Sequence, residues 1–265
     1  MPESLKEILP YKAAVPVIFL ALFWAWESWR PFFQTGREVR IRHAGRNLIL
    51  AIGNTVILAV SFGALTVIVA TWVAKNDFGL LNLISLPGPA EFVLGILALD
   101  CWFYIWHRAN HRIPFLWKFH RVHHSDPNMD VTTATRFHLG EHIGASILRL
   151  GIICIVGLNV WHIVAYEVAV IAATQFHHAN ISLGRWDRIV RILIVTPDMH
   201  KVHHSREQPE TDSNYSTIFS IWDRLARSFR MRQNPDSIEF GLREYDDDRW
   251  QSVTGMLKMP FKNRK

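Results

Sequence analysis

Residues 48–73 read LILAIGNTVILAVSFGALTVIVATWV, a run without a charged side chain. It is longer than the about 20 apolar residues that cross the roughly 30 Å hydrocarbon core of a bilayer. We therefore predict a transmembrane helix here, and with it an all-α, integral-membrane bundle, because in lipid the backbone must bond within its own helix. The composition agrees, since 49% of the 265 residues are hydrophobic and 11 are Trp and 16 are Phe, which is rich for a soluble domain.

Three further apolar stretches flank this run. Ala13–Trp29 ends in a band of tryptophans, which is typical of a membrane–water boundary. Phe92–Trp106 is a shorter apolar helix with one acid in its interior. Ile143–Phe176 is too long for one ordinary crossing of about 17–25 residues, and Gly157-Leu158-Asn159 provides a place to fold back. We expect about four spans, the last a hairpin, in one domain over 1–265, of which 1–91 supplies the N-terminal helices.

Orientation follows from the segment Arg30–Arg46, which has five arginines and should be cytoplasmic. The opposite loop, around Asn76, has a single lysine. This multi-pass topology places His107–His142 and everything after Phe176 in the cytoplasm, including the polar C-terminal 60 residues, which we expect to form part of a helical cap without a core of its own. No removable signal peptide is predicted, because no small-residue cleavage site follows the N-terminus.

The net charge of +6 is explained by arginines beside apolar spans, so no nucleic-acid partner is expected. Two cysteines, both in apolar runs, exclude a disulfide framework and a thiolate metal site. Any metal must therefore be bound through nitrogen and oxygen.

Most of the 14 histidines fall in three bursts. The first is an H-x-x-x-H pair, whose i,i+4 spacing puts both imidazoles on one helix face. The second and third are near copies, FHRVHHS and MHKVHHS, each with the pattern H-x-x-H-H. The eight histidines of these boxes are His107, His111, His120, His123, His124, His200, His203 and His204.

Eight imidazoles exceed what one structural zinc ion uses, so we predict two metal ions. Iron is favoured over zinc, because a redox metal gives so large a site in a membrane a chemical task. The compact boxes also argue against a metal transporter, whose histidines should follow the transmembrane path.

These residues resemble the fatty acid hydroxylase and sterol desaturase superfamily, whose pattern is H-x-x-x-H followed by two H-x-x-H-H boxes. The resemblance covers residues of about 92–230. It also includes the following segments: Asp100-x-x-x-Tyr104-x-x-His107-Arg108-x-x-His111, Thr133-x-x-Arg136-Phe137-His138-x-x-Glu141, His178-Ala179-Asn180, Asn214-Tyr215-Ser216 and Trp222-Asp223.

The resemblance implies a transmembrane bundle and a cytoplasmic helical cap with a histidine-rich di-metal site between them. It also implies a further ligand before the third box, matched here by His178, with His177 as the less favoured neighbour. His138 remains open between a ligand, a hydrogen-bond donor to a ligand and a polar residue of the helix surface. Asp100 and Tyr104 share the helix face of the first box and are expected near the imidazoles. The alternative for Asp100 is a salt bridge to an arginine of the bundle. Glu141 is expected to orient one of them, whereas His43 is assigned to a solvated basic loop without a role.

The implied function is a membrane-bound, non-haem di-iron oxygenase that hydroxylates or desaturates a lipid with O2. No H-P-G-G fingerprint of cytochrome b5 occurs, so electrons are expected from a separate ferredoxin or cytochrome b5 with its reductase. No catalytic residue beyond the metal site is assigned. The substrate stays open among sterols, fatty acyl chains and related lipids, and zinc is a possible occupant of purified protein. The alternative is a catalytically inactive, zinc-stabilised membrane scaffold, with a metal transporter as a further rival.

Overall fold

A computed structural model describes residues 3–262, with side chains from residue 14 onward. The described chain is helical, and its only β-type pairings are two isolated bridges. The α-helices are α1 (Glu3–Trp29), α2 (Arg37–Leu58), α3 (Ala64–Lys75), α4 (Gly88–Arg112), α5 (Pro114–His124), α6 (Leu139–Val156), α7 (Val160–His178), α8 (Asp187–Val190), α9 (Pro197–His203), α10 (Gln208–Thr211), α11 (Ile221–Leu225), α12 (Asp248–Gln251) and α13 (Val253–Lys258).

Three described stretches are long and apolar enough to cross a membrane: Arg37–Leu83, Gly88–Arg112 and Leu139–Val156. Ala14–Trp29 of α1 is a shorter apolar helix. The all-helical, membrane-type fold expected from the sequence is therefore confirmed.

Helices α2 and α3 form one continuous rod, joined by the π-helical turn Ala59–Gly63. The charge-free run 48–73 lies inside this rod, as predicted. The N-terminal part of the rod extends beyond that run as regular helix from Arg37, so most of the supposed loop Arg30–Arg46 is helical. This matters for His43, which the structure places on the inner face of α2.

The predicted break at Gly157-Leu158-Asn159 is confirmed as the turn between α6 and α7. Gly157 ends α6 with φ +90, a left-handed conformation that favours glycine. A side chain there would also collide with the carbonyl of Phe78, 2.9 Å from the Cβ position. Asn159 then caps α7 by accepting from the backbone N–H groups of Trp161 and His162.

The main apolar core lies where α3, α4, α6 and α7 meet, and it includes Leu99, Ile153 and Tyr166. The C-terminal segment does not form a core of its own. Instead Met256 and Met259 pack against α2 and α5 in a shared cluster. The histidine boxes lie on or directly after α4, α5 and α9, and α5 packs both on α4 and on this C-terminal cluster.

Candidate metal centre

The structure brings nine histidines into two adjacent groups. Within each group, one side-chain nitrogen per residue lies within 4.8 Å of all the others. Group one consists of His107, His111, His120, His124 and His203. Group two consists of His123, His178, His200 and His204.

Local sequence explains how the helices present these side chains. α4 ends at Arg112 and α5 begins at Pro114, with the extended residue Ile113 between them, so the chain turns sharply after the first box. Proline is well suited to a first helical position because the N–H that it lacks would have no intrahelical partner. α9 starts in the same way, with Thr196 as N-cap and Pro197 following it.

The two H-x-x-H-H boxes divide their histidines reciprocally. The second box gives its outer pair, His120 and His124, to group one and the middle residue to group two. The third box does the reverse, since His200 and His204 join group two and His203 joins group one. Each box therefore contributes to both groups.

Five of the nine Nε2 atoms lie within hydrogen-bond distance of another Nε2 atom of the nine, and the other four have no partner in the described structure. His107 Nε2 lies 3.0 Å from His203 Nε2, and His178 Nε2 lies 3.0 and 3.1 Å from those of His200 and His123. Two nitrogens bound at right angles to one metal at about 2.1 Å would be about 3.0 Å apart. The remaining four Nε2 atoms are buried and have no hydrogen-bond partner in the described structure: those of His111, His120, His124 and His204.

Such a collection of buried, unpaired nitrogens is costly unless something binds them. Burial, followed by the neighbouring imidazoles, lowers the pKa of His123, His124, His200, His203 and His204. A lowered pKa keeps an imidazole neutral, which is the form that binds metal. The donor set therefore fits two metal ions bound by nitrogen.

Backbone carbonyls fix the orientation of three imidazoles through their opposite ring nitrogens. His107 Nδ1 lies 2.8 Å from the carbonyl of Tyr215, and His203 Nδ1 lies 2.6 Å from that of Ser213. His178 Nδ1 faces the carbonyl of Thr174 at 2.7 Å. When Nδ1 donates its proton, the Nε2 lone pair remains free for a metal.

The fatty acid hydroxylase family model matches residues 92–228, more than half of the 265 residues, and the match includes all nine histidines. The chain belongs to the fatty acid hydroxylase family. The resemblance inferred from the histidine boxes is thereby confirmed.

Curated relatives of this family member are lipid-modifying enzymes. An ornithine lipid hydroxylase of Rhizobium tropici is 28% identical over 158 residues, covering 59% of this chain and 46% of that protein. An alkylglycerol monooxygenase of Xenopus tropicalis is 25% identical over 234 residues, covering 86% and 48%. Human cholesterol 25-hydroxylase is 20% identical over 151 residues, covering 53% and 51%. The chain thus spans about half the length of these relatives. No solved structure matches.

The family pattern predicted a ligand at His178, and the structure places His178 in group two. Its neighbour His177 lies outside both groups, although its ring centroid is 4.0 Å from that of His200. His138 lies apart from them as well. It caps α6 by accepting from Gly140 N–H, and its Nε2 faces the carbonyl of Leu257 at 3.2 Å.

Glu141 lies where the sequence placed it, beside an imidazole. Its Oε1 is 2.9 Å from His120 Nδ1 and also accepts from Asn110 at 3.3 Å. The hydroxyl of Tyr104 pairs with Ser228 at 2.9 Å, and its ring contacts that of Tyr215. Of these two residues, only Glu141 bonds directly to a histidine of the groups.

Asp100 is surrounded by donors other than histidine. Its carboxylate accepts from the Tyr166 hydroxyl at 2.9 Å, the Trp222 indole at 2.8 Å and the backbone N–H groups of residues 218 and 219. It therefore joins α4 to the segment before α11. Asp223 in turn accepts from the N–H of Tyr215, at 2.8 Å, and so holds the segment whose carbonyls orient His107 and His203.

The assignment of His43 to a solvated loop was wrong. His43 is buried on α2 between two carboxylates, with Nε2 2.8 Å from Asp126 and Nδ1 3.0 Å from Asp130. Asp126 follows the second box almost directly, and its pKa is held well below its usual range by His43 and Arg136 against the opposing effect of burial. The neighbouring arginines suggested solvent, and Arg42 is indeed exposed, whereas His43 is buried.

Two aromatic residues beside the groups were not predicted as site residues. Phe137 stacks on the ring of His123, with centroids 4.2 Å apart and an interplanar angle of 13°. Tyr215 is fully buried, and its ring centroid lies 5.1 Å from that of His111. Both occur in segments that resemble the family, which was the only signal for them in the sequence.

Proposed function

We propose that this chain is a membrane-bound, non-haem di-iron oxygenase that hydroxylates or desaturates a lipid. The observation that supports this most directly is the pair of adjacent histidine groups, with nine Nε2 atoms that have no partner except one another within residues 14–262. The names of the relatives support a lipid substrate, since they refer to an ornithine lipid, to alkylglycerol and to cholesterol.

In this proposal each group holds one iron ion, with five nitrogens in group one and four in group two. Bound iron supplies the activation of O2 that breaks an unactivated C–H bond. The chain's own residues set the geometry: backbone carbonyls and Glu141 hold the Nδ1 sides of the rings, and burial excludes water. Electrons come from a separate ferredoxin or cytochrome b5 with its reductase.

We also propose a multi-pass topology in one domain, with about four crossings and with the metal centre and C-terminus in the cytoplasm. The basic residues at the start of α2 support this orientation. His107 and His111 lie at the C-terminal end of α4, and His178 lies at the C-terminal end of α7. In the two groups these residues meet the histidines of the short helices α5 and α9, which supports one compartment for all nine.

Lipid profiling of cells with and without the protein tests the activity. Wild-type protein with its electron donor should produce a lipid with one added oxygen or with two hydrogens fewer, and purified protein should contain two metal ions per chain. His123→Ala should produce neither lipid while still inserting in the membrane. A folded protein that binds zinc and leaves every lipid unchanged under iron-replete conditions would instead be a scaffold, and the proposal would be wrong.

A further inference from the structure

A cavity of about 920 Å³ lies between the α2–α3 rod and the two arms of the α6–α7 hairpin. Pockets for small ligands usually measure about 300–1,000 Å³. The lining is mainly apolar, and it reaches the outer surface of the bundle at residues such as Ile68, which is 63% exposed. In a bilayer this surface faces lipid, so a lipid can enter the cavity from the side.

One end of the cavity lies next to the metal centre. His142 lines the cavity, and its ring centroid is 5.4 Å from that of Phe137, the residue that stacks on His123. Phe103, on another wall, precedes His107 by one helical turn. His142 and Phe137 therefore lie in succession between the cavity and His123 of group two.

An ion pair crosses the cavity at some distance from this end. Arg149 on α6 donates through Nη1 to Glu167 Oε1 on α7 at 2.8 Å, and both residues line the cavity. Helix α6 packs chiefly on α3 and helix α7 chiefly on α1. The cavity lies between the two arms, so the pair bridges them. Arg149 lies two turns beyond His142, about 10 Å along the helix axis.

The pair is unusual for its surroundings. Charged side chains inside membrane helices are expensive and commonly mark a functional site. Arg149 is also incompletely bonded, because its Nε is buried and has no hydrogen-bond partner among the described residues. The cavity wall thus offers an N–H donor beside a carboxylate acceptor, in a mainly apolar space.

We propose that this cavity binds the apolar body of the lipid substrate and that the Arg149–Glu167 pair binds a neutral oxygen group, a hydroxyl or carbonyl, within that body. This inference rests on the proposed function and names its substrate class. The pair has no net charge, and Glu167 would repel a carboxylate or phosphate, which favours a neutral group. A hydroxyl fits best, since it accepts from Arg149 and donates to Glu167. The oxidised carbon then lies beyond His142, which is itself about 10 Å along α6 from Arg149.

The simpler interpretation is that the ion pair only stabilises the packing of α6 beside α7. Loss of such an ion pair lowers stability but does not change which lipid binds. Selectivity between two ligands that differ by one hydroxyl therefore separates the two readings.

Photolabelling of the full chain in phosphatidylcholine vesicles measures this selectivity. The probes are two alkyl chains with a terminal diazirine, identical except for a mid-chain hydroxyl. Because a hydrogen bond to a charged group is worth at least about tenfold in affinity, wild-type protein should prefer the hydroxylated probe by about tenfold. Arg149→Met and Glu167→Leu should both label with the plain chain and lose the preference.

Arg191→Met is the matched control, because Arg191 makes an ion pair with Asp187 at 2.6 Å outside the cavity. It should keep the wild-type preference. A wild-type protein without preference, or Arg149→Met and Glu167→Leu variants that retain it, would overturn recognition by the pair.

A second pair of variants tests the cavity itself. Ser146→Trp fills the cavity from α6 and should abolish labelling by both probes at unchanged metal content. Ile147→Trp adds the same bulk at the neighbouring residue, which is 55% exposed and outside the lining, and should label normally. Normal labelling of Ser146→Trp would refute the cavity as the binding site.

The same assay separates this inference from the proposed function. His123→Ala should lose lipid oxidation and keep selective labelling. Selective labelling of wild-type protein that oxidises no lipid in the presence of iron and donor would contradict the proposed function and support the binding inference.

Discussion

Removing one histidine from each group should have separable effects on metal content. His123→Ala leaves three imidazoles in group two, whereas His203→Ala leaves four in group one. Four-ligand zinc sites bind with about 10–16 kcal/mol, so one ligand contributes about 3 kcal/mol, a factor of 10²–10³ in affinity. His123→Ala should therefore retain close to one ion per chain, and His203→Ala a number closer to two.

The assay is elemental analysis of purified, monodisperse protein after dialysis against a chelator of intermediate strength, combined with lipid oxidation. Both variants should lose oxidation, because both groups are needed. His162→Ala is the control: His162 lies near the start of α7, about 24 Å along the helix from His178. It packs against Phe92, so the variant should lose some stability and keep both ions. A His123→Ala protein with two tightly held ions and wild-type turnover would refute the assignment of the groups.

Three further predictions test other parts of the structure. A reporter fused after Lys265 should be cytoplasmic and one inserted at Asn76 external; finding both on one side of the membrane would overturn the proposed topology. His43→Ala should lower the free energy of unfolding by about 3–5 kcal/mol in chemical denaturation, because it removes the imidazole that bonds to two buried carboxylates, and a loss below about 1 kcal/mol would show that the pairing is unimportant. Glu141→Ala should weaken metal binding about 10–100-fold in chelator competition, whereas unchanged affinity would mean that the contact orients nothing.

The histidine boxes were predictable because i,i+3 and i,i+4 spacing fixes which side chains share a helix face. The hairpin turn was predictable for a similar reason, since a glycine followed by a capping asparagine ends one helix and starts the next. The family match over residues 92–228 agrees with these local signals. The helices that carry the boxes and the turn between α6 and α7 were therefore predictable from local sequence.

The division of the boxes between the two groups was not predictable. His123 and His124 are adjacent in sequence and belong to different groups, because their neighbours come from α4, α7 and α9. His43 was misjudged for a related reason. Hydrophobic periodicity finds apolar faces, whereas the inner face of α2 buries His43, Asn47 and Asn54 through long-range polar contacts.

The carbonyl groups of Ser213 and Tyr215 give the metal centre an unusual tolerance of substitution. Any residue at these positions presents the same main-chain oxygen to His203 and His107. Replacing either side chain therefore cannot delete the acceptor, although it can displace it. A mutation that reorients these two imidazoles has to act on the residues that hold the segment in place. Asp223 accepts from the N–H of Tyr215, and Asn214 has a left-handed φ of +53. For protein engineering, this makes these two residues a means of altering the metal centre with all nine histidines unchanged.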